Sequence, residues 1–211
     1  MPALLLAFLL TAQGAGAATL REARVAIAFS PAACDVTTRF VVDSAAPSMV
    51  EHSVMVDMSA DAPAFTVIGA VTGDAITAGR TVRLPISLTG MGRNEYTVRF
   101  RLAIDARGGK CPLLVPSVAT DGLSRSIAIE VALPSGSMRL PGEFPSFTWS
   151  GNHGRVTLGH LPSFVRVPVA PSGAALTWRD RIDSRGILDA AAIVTIVAGT
   201  LAWATLRRAR P

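Results

Sequence analysis

Between Val82 and Ile104 the chain alternates apolar and polar side chains almost without a break. Val82, Leu84, Ile86 and Leu88 are separated by Arg83, Pro85 and Ser87. Tyr96, Val98, Phe100, Leu102 and Ile104 are separated by Thr97, Arg99, Arg101 and Ala103. In an extended backbone, successive side chains point to opposite faces, so this period of two builds strands with one oily face and one wet face. It cannot supply the stripe that a surface helix needs. The same period recurs at Val25, Ile27 and Phe29, at Val36, Phe40 and Val42, and at Val50, Val54, Val56 and Met58. It returns at Phe65, Val67 and Val71, and at Ile127, Ile129, Val131 and Leu133.

Turn residues punctuate these runs: Ser44-Ala45-Ala46-Pro47, Asp61-Ala62-Pro63, Thr72-Gly73-Asp74, Gly90-Met91-Gly92 and Gly108-Gly109. Seven short strands in about 110 residues predict a mainly β domain over residues 18–133, an immunoglobulin-like antiparallel β-sandwich. Tyr96 opens the sixth strand, where such folds often carry a corner tyrosine. The likeness is architectural, because the core Cys and Trp of antibody domains are absent from their expected strands.

From 134 to 171 the texture changes, with prolines at 134, 141, 145, 162, 168 and 171 and glycines between them. Prolines at this density suit edges and loops, so this stretch is a membrane-proximal β-module or an edge extension of the sandwich. Residues 172–186 then read as a tether.

The two ends set the location. Residues 187–206, ILDAAAIVTIVAGTLAWATL, form a largely apolar run. As a helix it spans roughly 30 Å, the hydrocarbon thickness of a bilayer. Residues 1–17 have an apolar core from Ala3 to Leu10 and the small-x-small pattern Ala15-Gly16-Ala17, as in a secretory signal cut after Ala17. No Lys or Arg precedes that core. A cleaved leader puts the domain outside the cytoplasm, and Arg207, Arg208 and Arg210 in the tail 207–211 suit the cytoplasmic side. Trp178 and Trp203 fall where interfacial anchors belong. The predicted location is a bacterial inner membrane, crossed once, with the bulk of the chain periplasmic or extracellular. Ala191, Thr195, Ala198, Gly199 and Ala202 place small residues on one side of the membrane run, the pattern that lets helices pack closely in lipid. Codon bias toward alanine would produce the same pattern.

Net charge is +5, but three of those charges sit in the tail, and only Lys110 among the 20 basic residues is a lysine. Arginines and acids alternate along the middle of the chain, with no basic run interleaved with aromatics, so nucleic acid is not an expected partner.

Cys34 and Cys111 are the only cysteines. In an exported chain an even count points to a disulfide. Strict alternation of strand directions would put the start of strand two and the end of strand six at opposite ends of the sandwich, ~20 Å apart, far beyond disulfide reach. A bridge therefore requires either that the chain after Ile104 carries Cys111 back or that one reversal is uncounted.

Three chemistries are open to these side chains. Met49, His52, Met55 and Met58 resemble soft copper-binding spacing, but on a strand His52 and Met58 share a face while Met49 and Met55 take the other. His153 and His160 lie in a Gly-rich stretch with no carboxylate nearer than Glu143, a weak metal pattern whose plain alternative is loop residues facing water. No G-x-S-x-G and no nucleophile–base pair stands out for a hydrolase, and no phosphate loop precedes a helix. No cofactor, metal or catalytic residue is assigned. The expected role is a non-catalytic interaction or assembly module of an envelope complex, partnered with the membrane and another envelope protein. A copper-handling protein and an envelope hydrolase are the alternatives. The order of leader, β-domain and anchor resembles membrane-anchored β-sandwich accessory proteins such as the aerotolerance-type BatD proteins, a likeness of layout alone.

Overall fold

A computed structural model describes residues 18–56, 63–103, 109–122 and 126–170. The leader, the tether, the apolar run 187–206 with its small-residue positions, and the tail lie outside the described residues, as do Met58 and Ile104. Among the described residues no helix is long and apolar enough to cross a membrane.

The described chain is mainly β. Two long strands open it, β1 (Thr19–Phe29) and β2 (Ala33–Ser44), followed by β3 (Ser48–Met55). Three short strands come next, β4 (Thr66–Ile68), β5 (Val71–Thr72) and β6 (Ile76–Ala78), then β7 (Thr81–Leu88) and β8 (Gly92–Ala103). Beyond lie β9 (Lys110–Pro112), β10 (Val115–Pro116), β11 (Ala119–Thr120) and β12 (Ile127–Ala132). The last five are β13 (Met138–Arg139), β14 (Thr148–Ser150), β15 (His153–Leu158), β16 (Phe164–Arg166) and β17 (Val169–Ala170).

Two sheets carry the fold. The larger runs β14-β15-β12-β1-β2-β8-β4, with β11 also on β1; the smaller runs β10-β3-β7-β5, with β6 on β7. The oily faces meet in one core, Val25, Ile27, Val36, Phe40 and Val98 from the larger sheet against Val50, Val54, Val82, Leu84 and Ile86 from the smaller. Each such side chain contributes roughly 1.5–3 kcal/mol on full burial, which fixes the register, since a one-residue slip would turn every one of them to water.

Two departures from simple alternation matter. The first is in the expected fourth strand. Thr66–Ile68 pairs with β8 in the larger sheet, whereas Val71–Thr72 pairs with β7 in the smaller. The chain changes sheets at Gly69, where φ is 90° and a Cβ would lie 2.9 Å from the Glu95 carbonyl oxygen. Only glycine takes that backbone without strain. Val71 consequently faces water. The stretch 66–78 thus holds a reversal that strict alternation omits, and β2 and β8 run antiparallel, with Cys34 opposite Leu102.

The second departure is β12, which lies parallel to β1 from Ala23↔Ile127 to Ala28↔Ala132. Residues beyond 134 continue this sheet: β15 pairs with β12 over six residues and β14 pairs with β15. The rest of this proline-rich stretch folds back as β16 on β9 and β17 on β13.

Candidate functional site

Each polar candidate is positioned by the strand that carries it. His52 sits in β3 in the register of Val50 and Val54, so it points into the core and is fully buried. Its Nδ1 lies 3.3 Å from the Val50 carbonyl oxygen, and its Nε2 lies 2.8 Å from the Tyr96 hydroxyl. A carbonyl can only accept, so Nδ1 carries the proton and Nε2 accepts from the tyrosine. Phe40 packs edge-on against the imidazole at 5.0 Å between centroids. Burial pushes the His52 pKa down to about 4, partly opposed by the carbonyls of Val50 and Leu84. Burial likewise raises that of Tyr96. The arrangement is a neutral hydrogen-bonded tie between the sheets. Tyr96 does not close a corner onto backbone; it reaches across the core to β3.

Met49 and Met55 flank His52 on the opposite face and are exposed. The soft atoms of this strand do not converge, for the alternation already visible in the sequence. Among the described residues no three His, Cys, Asp or Glu side chains cluster as a metal would need.

Cys34 and Cys111 are brought together. Both are buried and their Sγ atoms lie 2.8 Å apart. β9 carries Cys111 back beside the start of β2, and the reversal in 66–78 puts the end of β8 there as well. The mutual contact, and after it burial, raises the pKa of the Cys111 thiol.

His153 opens β15 and His160 follows its end, both exposed, so the strand holds them apart. Glu143 does more than its sequence position suggested. Its carboxylate accepts from the Trp149 indole at 2.9 Å and from the Phe147 amide at 3.2 Å. Arg139 lies over the Trp149 ring at 4.5 Å, and the same ring packs against Gly154.

The wet face of the larger sheet forms an open groove. Its floor is small: Ala26 and Ala28 on β1, and Ala132 on β12. His153 and Arg155 of β15 stand on one side, and Asp35 and Thr37 of β2 on the other, around a hollow of about 850 Å³. A second hollow of about 790 Å³ adjoins it, sharing Ala26, Thr37, Glu130 and Arg155. Five arginines and two carboxylates line this second hollow. Arg24 lies directly opposite Arg39 across β1 and β2, and Arg99 lies opposite Thr37 on β8. Of these arginines the alternation in the sequence puts Arg99 on a wet face; that it meets Arg24 and Arg39 there depends on which strands become neighbours.

The fold and this face together define a class, a mainly β protein of two packed sheets with a broad charged outer surface. No protein-family model and no curated protein matches the chain. Among solved structures it is similar to native yeast LTA4 hydrolase at 11% identity and a TM-score of 0.45, over 77% of this chain and 30% of that one. It is also similar to an M1 zinc metallopeptidase from Deinococcus radiodurans at 8% identity and a TM-score of 0.34, over 72% of this chain and 39% of that one. The chain thus spans between three and four tenths of each of these two structures. Likeness at this level carries no conclusion about activity.

Proposed function

We propose that this chain is a membrane-anchored envelope protein whose immunoglobulin-like β-sandwich works outside the cytoplasm as a non-catalytic interaction or assembly module. The leader pattern and the apolar run 187–206, taken as a single transmembrane helix, support the location. The observation that carries the role is the outer face of the smaller sheet. There Met49, Met55, Val71 and Ile76 are exposed, between 54% and 71%, with Glu51 and Arg83 as a sparse ion pair at 3.6 Å. Large apolar side chains gathered on one water-facing sheet mark a surface that another protein covers. In an oxidising compartment Cys34 and Cys111 form a disulfide joining β2 to β9.

The test is purification of the tagged chain from native membranes in mild detergent. Defined membrane proteins should come with it. Ile76→Lys, on the apolar face, should release them from a chain that still folds. Ala198→Leu with Gly199→Leu should release any partner held through the membrane helix. A full chain that fractionates in the cytosol with residues 1–17 attached would overturn the reading.

A further inference from the structure

The arginines of the outer groove are arranged in a way that a merely soluble surface does not need. Arg24 and Arg39 face each other across neighbouring strands, and like charges so placed repel. Each is steadied by a carboxylate, and each through Nε: Arg24 to Glu22 at 2.5 Å, Arg39 to Glu95 at 2.7 Å. Gripped there, a guanidinium keeps its two terminal nitrogens for another acceptor, the fork that holds a carboxylate bidentately. Arg155 completes the far side, 3.0 Å from Glu130. Among the described residues, no carboxylate pairs with Arg99. The four guanidiniums thus partly ring a floor made of Ala26, Ala128 and Thr37.

The groove is about as long as it is wide. Successive outward residues on β1, Arg24, Ala26 and Ala28, are spaced ~7 Å apart, so the floor runs ~14 Å. From β15 to β2 there are three strand spacings, ~14 Å. That is room for an extended backbone with short side chains beneath it, and more than a lone oxyanion fills.

From this charge complementarity we propose that the outer groove of the larger sheet binds an extended acidic polypeptide segment of a partner protein, its carboxylates seated on Arg24, Arg39 and Arg99. The proposal deepens the interaction-module reading by naming the partner's chemistry, on a face separate from the apolar one.

The experiment uses the full chain in non-ionic detergent at low salt, with a fluorescein-labelled hexaglutamate peptide read by anisotropy. Binding should saturate and weaken as salt is added. Arg39→Gln with Arg99→Gln should weaken it at least ~10-fold, while Arg83→Gln on the opposite sheet leaves it unchanged, with thermal melts confirming that each variant folds. Ala26→Leu, which raises the floor, should weaken peptide binding as well. Absence of saturable binding, or equal binding by the arginine double variant, overturns the proposal. If inorganic sulfate binds as tightly as the peptide and Ala26→Leu changes neither, the groove is a small-anion site and the polypeptide is wrong. Tighter arginine-dependent binding to phosphatidylglycerol vesicles would assign the groove to the membrane instead. Each of these failures leaves the membrane co-purification result standing, so the two readings fall separately.

Discussion

At the scale of single residues, His52 couples stability to acid. Its folded pKa is about 4 against an ordinary 6.5. Between those values the unfolded chain holds a proton that the folded chain does not. Stability from this group is therefore full above about pH 6.5 and declines as pH falls toward 4, by up to roughly 3 kcal/mol. Urea midpoints at pH 7 and pH 4.5 should differ more in the native chain than in His52→Gln, which carries no titratable ring. Tyr96→Phe should cost about 1–3 kcal/mol at neutral pH, because Nε2 is left buried without its donor. Thr38 offers the opposite sign. Its hydroxyl is buried and has no hydrogen-bond partner among the described residues. Thr38→Val keeps the shape and removes the polar atom, so the thermal midpoint should rise, by about 1 kcal/mol of stability.

At the scale of elements, the alternating runs were legible wherever a strand is long. β7 and β8 bury Val82, Leu84, Ile86, Leu88, Tyr96, Val98, Phe100 and Leu102, the residues that the period of two selects. The short strands were not legible, since two or three residues are too few to show a period. Their placement depends on backbone contacts such as that of Gly109, which has φ 55° and approaches β16. A Cβ there would lie 2.0 Å from the Val167 carbonyl oxygen, a contact that backbone on both sides cannot relieve. Gly109→Ala should therefore destabilise the domain by about 3 kcal/mol, measured by denaturant unfolding. The loss should extend to protection of the Val167 amide from exchange, because that amide donates to the Gly109 carbonyl at 2.8 Å.

At the scale of the whole molecule, the cysteine pair and the outer face are both products of topology. The bridge proposed between Cys34 and Cys111 closes a loop 77 residues long. The chain-entropy account allows it at most about 4.5 kcal/mol. Chain purified from the envelope and denatured without reductant should take up no alkylating agent; two reactive thiols would remove the bridge. Reduction should lower the melting temperature of the native chain and leave Cys34→Ser with Cys111→Ser unaffected.

The amino-acid order by itself determined that the chain makes one-faced strands, which side chains of the long strands go inward, and that Met49 and Met55 point away from His52. Those properties are local, because an extended backbone throws successive side chains to opposite sides whatever lies beside it. Tertiary structure alone decided that the stretch from Thr66 to Ala78 is divided between two sheets, and that β12 lies parallel to β1. It also decided that Arg24, Arg39 and Arg99 stand around one groove. Those depend on which strands become neighbours and in what register, and that is settled by hydrogen bonds and packing between segments far apart in the chain.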